Sequence, residues 1–127
     1  MFKTTLAVVA ALVAWMAVAT AAGLILRLWP AYVSVAATMA FTLPMLIARL
    51  SIGAVATLVA GLVASAIAPR ITLAKLLPGV ILLLMFVPVH IGIWDKFPPW
   101  YHLTFLLSLV PLTIAGGTML HRSPSQV

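Results

Sequence analysis

Hydrophobic residues run almost without interruption along this chain, and the few charged ones mark where each run ends. Between Lys3 and Arg27 lie 23 uncharged residues, Thr4 to Leu26. As a helix they extend about 35 Å, enough to cross a hydrocarbon core of roughly 30 Å. The pattern predicts a first transmembrane helix over residues 4–27. The same stretch resembles a signal peptide, with one Lys, an apolar run and small residues around Ala17 to Ala21. The run continues unbroken through Leu24, Ile25 and Leu26 to an Arg27–Trp29 flank, which favours a retained helix.

From Leu28 to Ala68 only Arg49 is charged. One straight helix of that length would run about 60 Å, twice the hydrocarbon thickness, so the segment has to break. Pro30 and Pro44 supply the breaks, because an internal proline removes a backbone hydrogen bond and clashes with the preceding turn. This predicts a short interfacial or re-entrant helix over 31–42 and a second span over 43–68. A rival division makes Tyr32 to Ile47 a separate span, giving five helices, but it needs a tight turn at Arg49-Leu50-Ser51 with no Asn, Asp or Pro to form it. Ser34, Thr38 and Thr42 give the interfacial piece one mildly polar stripe, whose hydroxyls are expected to bond to the carbonyls four residues back.

A third span is predicted over 76–93, with Pro78 near its start and Pro88 loosening its last turns. Pro98-Pro99 end the following link, and a fourth span covers 101–120. The polar tail 121–127 is expected to lie outside the fold, with His121 and Arg122 anchoring the last helix. The predicted architecture is therefore all-α: one transmembrane domain over 1–127, with four helices in an antiparallel bundle and a short helix between the first and second spans.

Composition strengthens this reading. Hydrophobic residues make up 65% of the chain and charged ones 6%, with a mean hydropathy of +1.30. A soluble domain carries roughly 25% charged residues. The net charge of +6 comes from singly scattered Lys and Arg at the ends of apolar runs. A nucleic-acid surface needs them clustered, so no nucleic-acid partner is expected. With no cysteine, disulfides and thiol chemistry are excluded. Lys3, Arg70, Lys75 and Arg122 fall on the side of the termini, against Arg27, Arg49 and Lys96 with Asp95 on the other. The positive-inside bias then predicts cytoplasmic termini. At the level of hydropathy the whole chain resembles small four-span bacterial integral membrane proteins of uncharacterised activity. That resemblance implies a bacterial inner-membrane location.

Within the second span Gly53, Thr57, Gly61 and Ser65 recur every four residues, a small-residue ladder that lets another helix approach closely. Thr104, Ser108 and Gly116 on the fourth span, or the Ala-rich first span, are candidate partners. Arg49 occupies the next rung and should point into the bundle. A charge within a span usually has a partner, and Asp95 is the only carboxylate side chain in the chain. An Arg49–Asp95 pair is expected, with snorkelling to the headgroups as its alternative.

The chemistry-bearing residues concentrate between His90 and His102, in the link Trp94-Asp-Lys-Phe-Pro-Pro-Trp100 and its flanks. Trp29, Tyr32, Trp94, Trp100 and Tyr101 all fall on that side, as an interfacial belt or as the lining of an aromatic pocket. Arg49, His90, Asp95, Lys96, Trp100, Tyr101 and His102 form the candidate binding set. A single acid excludes a two-carboxylate acid/base site. Ser51 has no partner that would mark it as a nucleophile. His90, His102 and Asp95 are the one conceivable metal set, but their spacing is not a ligand spacing, so no metal, cofactor or catalytic residue is expected. The leading expectation is a non-enzymatic membrane protein in contact with lipid, acting as a homo-oligomer or as a subunit of a larger membrane complex. An oligomeric transporter of a small anionic or neutral solute is the second expectation, and an enzyme acting on a lipid or quinone at the interface the third.

Overall fold

The computed structural model describes residues 1–119. The chain forms α1 (Phe2–Leu26), α2 (Pro30–Ala36), α3 (Leu43–Ile67), α4 (Thr72–Gly92), a 3-10 turn (Trp94–Lys96) and α5 (Pro99–Met119). Four of these, α1, α3, α4 and α5, are long and apolar enough to cross a membrane, and they pack antiparallel. The protein is a multi-pass, all-α membrane protein. One end of the bundle gathers the end of α1, the start of α3, the end of α4 and the start of α5; α2 and the 3-10 turn sit at this end.

The prolines act at helix starts as well as within helices. Pro30 opens α2 and Pro44 is the second residue of α3, where a missing N–H costs nothing. The α2 helix stops at Ala36, six residues short of the expected 42. Met39 takes φ 57°, a left-handed conformation that non-glycine residues rarely adopt, and Thr42 is extended at the N-terminus of α3. Thr42 is thus a cap rather than part of a helical stripe. The Ser34 and Thr38 hydroxyls donate to the carbonyls of Ala31 (2.7 Å) and Val35 (3.2 Å), three residues back. Helix α4 begins at Thr72 rather than 76 and takes in Lys75, whose stem lies over Gly117 of α5. It continues through both Pro78 and Pro88. The expected tail contacts of His121 and Arg122 fall outside the described residues.

Helix α3 is the centre of the bundle, packed most extensively against α5 and α1. Gly53, Thr57, Gly61 and Ser65 are all buried, along with Ala56, Ala60 and Ala64. A Cβ on Gly61 would run into the Thr113 carbonyl, and one on Gly116 into the Leu58 carbonyl. The two backbones therefore touch where side chains are missing, as a small-residue seam permits. On the other side, Ala7 and Ala11 of α1 are fully buried. The indole N–H of Trp15 donates to Thr57 Oγ1 (3.0 Å), which donates in turn to the Gly53 carbonyl (2.6 Å).

The ladder is thus used within one chain. Of the expected α5 partners only Gly116 lies in the seam. Thr104 is exposed, and the Ser108 hydroxyl donates to its own helix at Phe105 O (2.8 Å). The buried stripe is Leu109, Thr113 and Gly116, spaced i, i+4, i+7 and one residue out of register with Thr104 and Ser108.

Candidate binding site

Four separate stretches converge on Arg49, in the second turn of α3. Tyr32 comes from α2, Phe41 from the α2–α3 connection, Phe97 from the residue after the 3-10 turn, and Tyr101 from the first turn of α5. Arg49 Nη1 donates to the Tyr32 hydroxyl (2.7 Å) and Nε to the Tyr101 hydroxyl (3.2 Å). The guanidinium carbon lies 4.9 Å from the centre of the Phe41 ring and 5.8 Å from that of Phe97. The rings stack in series: Tyr32 on Phe41 (4.9 Å between centres), Phe41 on Phe97 (5.9 Å) and Phe97 on Tyr101 (4.8 Å). A guanidinium beside aromatic faces gains cation–π attraction, about 0.5–2 kcal/mol per ring depending on desolvation.

The expected Arg49–Asp95 pair is corrected: the partners of Arg49 are two phenols, and Asp95 is exposed in the 3-10 turn. The turn points Trp94, Asp95 and Lys96 outward and brings Phe97 in. A neutral hydroxyl accepts from the guanidinium without desolvating a second charge, which is often the costlier arrangement inside a protein.

Guanidinium has five N–H donors, and the two phenols accept two of them. The remaining three have no acceptor among the described residues. Among the described residues no fully buried side-chain nitrogen or oxygen lacks a partner, so Nη2, which has none, is not fully enclosed. Arg49 lines a partly open cavity of about 220 Å³. Its polar rim is Arg49, Tyr32, Tyr101 and His90, and its lower wall is Trp15, Ile52, Gly53, Phe86 and Phe105. Trp15 packs on Phe86 with ring centres 5.1 Å apart, and Phe86 meets Phe105 edge to face at the same separation. A neighbouring cavity of about 360 Å³ shares Gly23, Tyr32 and Arg49 and adds Arg27 to the same end. No acidic side chain lines either one.

His90, in the last turn of α4, and His102, in the first turns of α5, are both buried. Their Nδ1 atoms are 2.6 Å apart, and His102 Nε2 is 3.1 Å from the Trp94 carbonyl. A carbonyl can only accept, so His102 Nε2 carries a proton and donates it. Neutral His102 then presents a lone pair at Nδ1, and His90 Nδ1–H donates to it. Of the four ring nitrogens of His90 and His102, Nε2 of His90 is the one with no partner among the described residues, and His90 lines the 220 Å³ cavity.

Of the residues singled out in sequence, Arg49, His90, Tyr101 and His102 come together here. Asp95, Lys96 and Trp100 are exposed and line neither cavity. Tyr32 is buried, accepts from Arg49 and lines both cavities, whereas Trp29, Trp94 and Trp100 keep partly exposed faces at this end. Phe41, Phe86, Phe105, Trp15 and Gly23 are site residues that sequence reasoning did not select. The i, i+4 ladder through Arg49 and Gly53 pointed to the α3 wall, but no periodicity links α3 to the Tyr32–Phe41 segment. Ser51 donates to Ile47 O (2.8 Å) on an exposed face and takes no part.

Scans against protein-family models, curated proteins and solved structures return no match to this chain.

Proposed function

We propose that this four-span membrane protein is a non-enzymatic binding protein that holds an anion-headed amphiphile in the cavity at Arg49. The observation that carries the reading is the uncompensated charge of Arg49, whose partners are two neutral phenols and two phenyl rings. A cation within a span is costly, roughly 2.5–3.5 kcal/mol at its centre, and an anionic ligand head would offset part of that cost. The cavity is polar at Arg49 and apolar toward Trp15 and Phe86, which matches a ligand with a charged head and an apolar body. The contact of Trp15 with Phe86 favours a site with one mouth over a path through the chain.

The small-residue ladder, which in sequence motivates a packing or homo-oligomeric role, has its partners inside the chain and so gives no separate reason for a second copy. The positive-inside bias supports cytoplasmic termini in a bacterial inner membrane, with the cavity at the outer face.

The test uses Trp15, which is 9% exposed and lines the cavity. With Trp29, Trp94 and Trp100 replaced by Phe, 8-bromooctanoate should quench Trp15 saturably and at lower concentration than 8-bromooctanol does. Arg49→Gln should remove that difference. Equal quenching by acid and alcohol in the parent protein would contradict the reading.

A further inference from the structure

We propose that the ligand class is the carboxylic-acid amphiphile, bound as carboxylate at Arg49 with its proton held on Nε2 of His90. This inference rests on the anion-binding reading above and goes further in naming the head group and the fate of its proton.

The donor array comes first. Three N–H groups of Arg49 have no acceptor among the described residues, and the Tyr32 and Tyr101 hydroxyls, having accepted from Arg49, still have their own protons to give. Arg49, Tyr32 and Tyr101 all line the same cavity. A carboxylate accepts through two oxygens with about four lone-pair sites, and its planar edge matches the guanidinium fork in a bidentate pair. A cavity of 220 Å³ is roughly seven waters' worth at about 30 Å³ each, enough for such a head and a short apolar chain.

The histidine pair supplies the rest. Trp94 O fixes the proton on His102 Nε2, and the Nδ1–Nδ1 bond fixes one proton on His90 Nδ1. Whether the pair is neutral or carries an extra proton, those two positions are the same. The single variable position is His90 Nε2, the atom left to the cavity. The groups around His90 are Arg49 from α3, Tyr101 and His102 from α5, and Tyr32 from α2 across the cavity; α1 contributes only Trp15, Ala19, Gly23 and Leu26. None of these is an acid. When an un-ionised acid enters from the membrane, its O–H bond breaks, a bond forms between that proton and His90 Nε2, and the electron pair stays on the carboxylate facing Arg49. The site then holds an anion between two cations with no net change of charge in the membrane.

The experiment is titration calorimetry of the whole chain in phosphatidylcholine vesicles near neutral pH, repeated in buffers of different ionisation enthalpy. The ligands are octanoate, octyl phosphate and octanol. Octanoate should bind tighter than the other two by roughly 10- to 100-fold, the range expected for charge-assisted hydrogen bonds. Because octanoate is ionised in solution, its binding should draw one proton from the buffer. His90→Phe should abolish that uptake, and Arg49→Gln should remove the preference for octanoate. If either variant fails to fold, the head-group series and the proton count on the unaltered chain still decide. Octyl phosphate binding as tightly as octanoate would overturn the carboxylate assignment while leaving an anion site standing. Octanoate binding without proton uptake would overturn the role of His90. Octanol binding as tightly as octanoate would overturn both this inference and the binding reading beneath it.

Discussion

Arg49 of α3 donates a 2.7 Å hydrogen bond to the hydroxyl of Tyr32 in α2. This contact ties the short helix to the bundle, because α2 has one buried residue, Tyr32 itself. The remainder of the 30–42 segment holds on through the ring stack of Tyr32, Phe41 and Phe97.

Tyr32→Phe keeps the stack and removes the acceptor. A hydrogen bond to a charged group is worth about 1.5–3 kcal/mol, and the half-exposed position of Arg49 places the expected loss at the low end. Hydrogen exchange should quicken across residues 31–42 while the four spans keep their protection. Asp95→Asn should change unfolding stability by less than about 0.5 kcal/mol, as for other exposed sites without a structural partner. A larger loss in unfolding titrations of Asp95→Asn would restore the ion pair that the geometry rejects.

The α3–α5 seam predicts opposite outcomes for two glycine-to-alanine changes. At Gly61 the new Cβ meets the Thr113 carbonyl with no flexible group to give way, so Gly61→Ala should cost about 1–3 kcal/mol by overpacking. At Gly23 nothing lies within 4 Å of an added Cβ. Gly23→Ala should be neutral or stabilising by up to about 1 kcal/mol, the helix-propensity difference. Thermal unfolding of the two variants side by side checks both signs.

The histidine pair makes a spectroscopic prediction. In the ¹⁵N spectrum of ligand-free protein, His102 should carry its proton on Nε2 and a bare Nδ1, and His90 the reverse. His102→Phe keeps the volume but leaves His90 Nδ1–H without its acceptor, at a cost of about 1–3 kcal/mol. A spectrum with both protons on Nε2 would break the chain of bonds from Trp94 to the cavity.

How much of this was legible beforehand follows the range of each signal. Span number, the break at residues 30–42 and the α3 ladder are local patterns of hydropathy, proline and small residues, and they appear where the sequence places them. The boundaries of α2 and α4 moved where the apolar pattern runs on without a break: α2 ends at Ala36 ahead of the left-handed Met39, and Ile71 is the N-cap of α4. The site was half legible. Arg49, His90, Tyr101 and His102 stood out as rare residue types in an aliphatic chain. The choice of Asp95 as Arg49's partner rested on its charge and its place on the same side of the membrane. It missed that a buried phenol can accept from a guanidinium, and it could not foresee which side chains of a three-residue turn point inward. Phe41, Phe86 and Phe105 were not singled out from sequence, because nothing local separates a ring that fills a core from one that lines a cavity.

The central claim is that the space around Arg49 is a ligand site, and Gly23→Leu tests it most directly. Gly23 lines both cavities and faces open space, so a leucine there fills the site while favouring the α1 helix. The measurement is octanoate affinity of the unaltered and Gly23→Leu proteins in the same vesicles, alongside their unfolding temperatures. The account predicts that binding is lost while the unfolding temperature holds or rises. Undiminished affinity in a folded Gly23→Leu protein would contradict it.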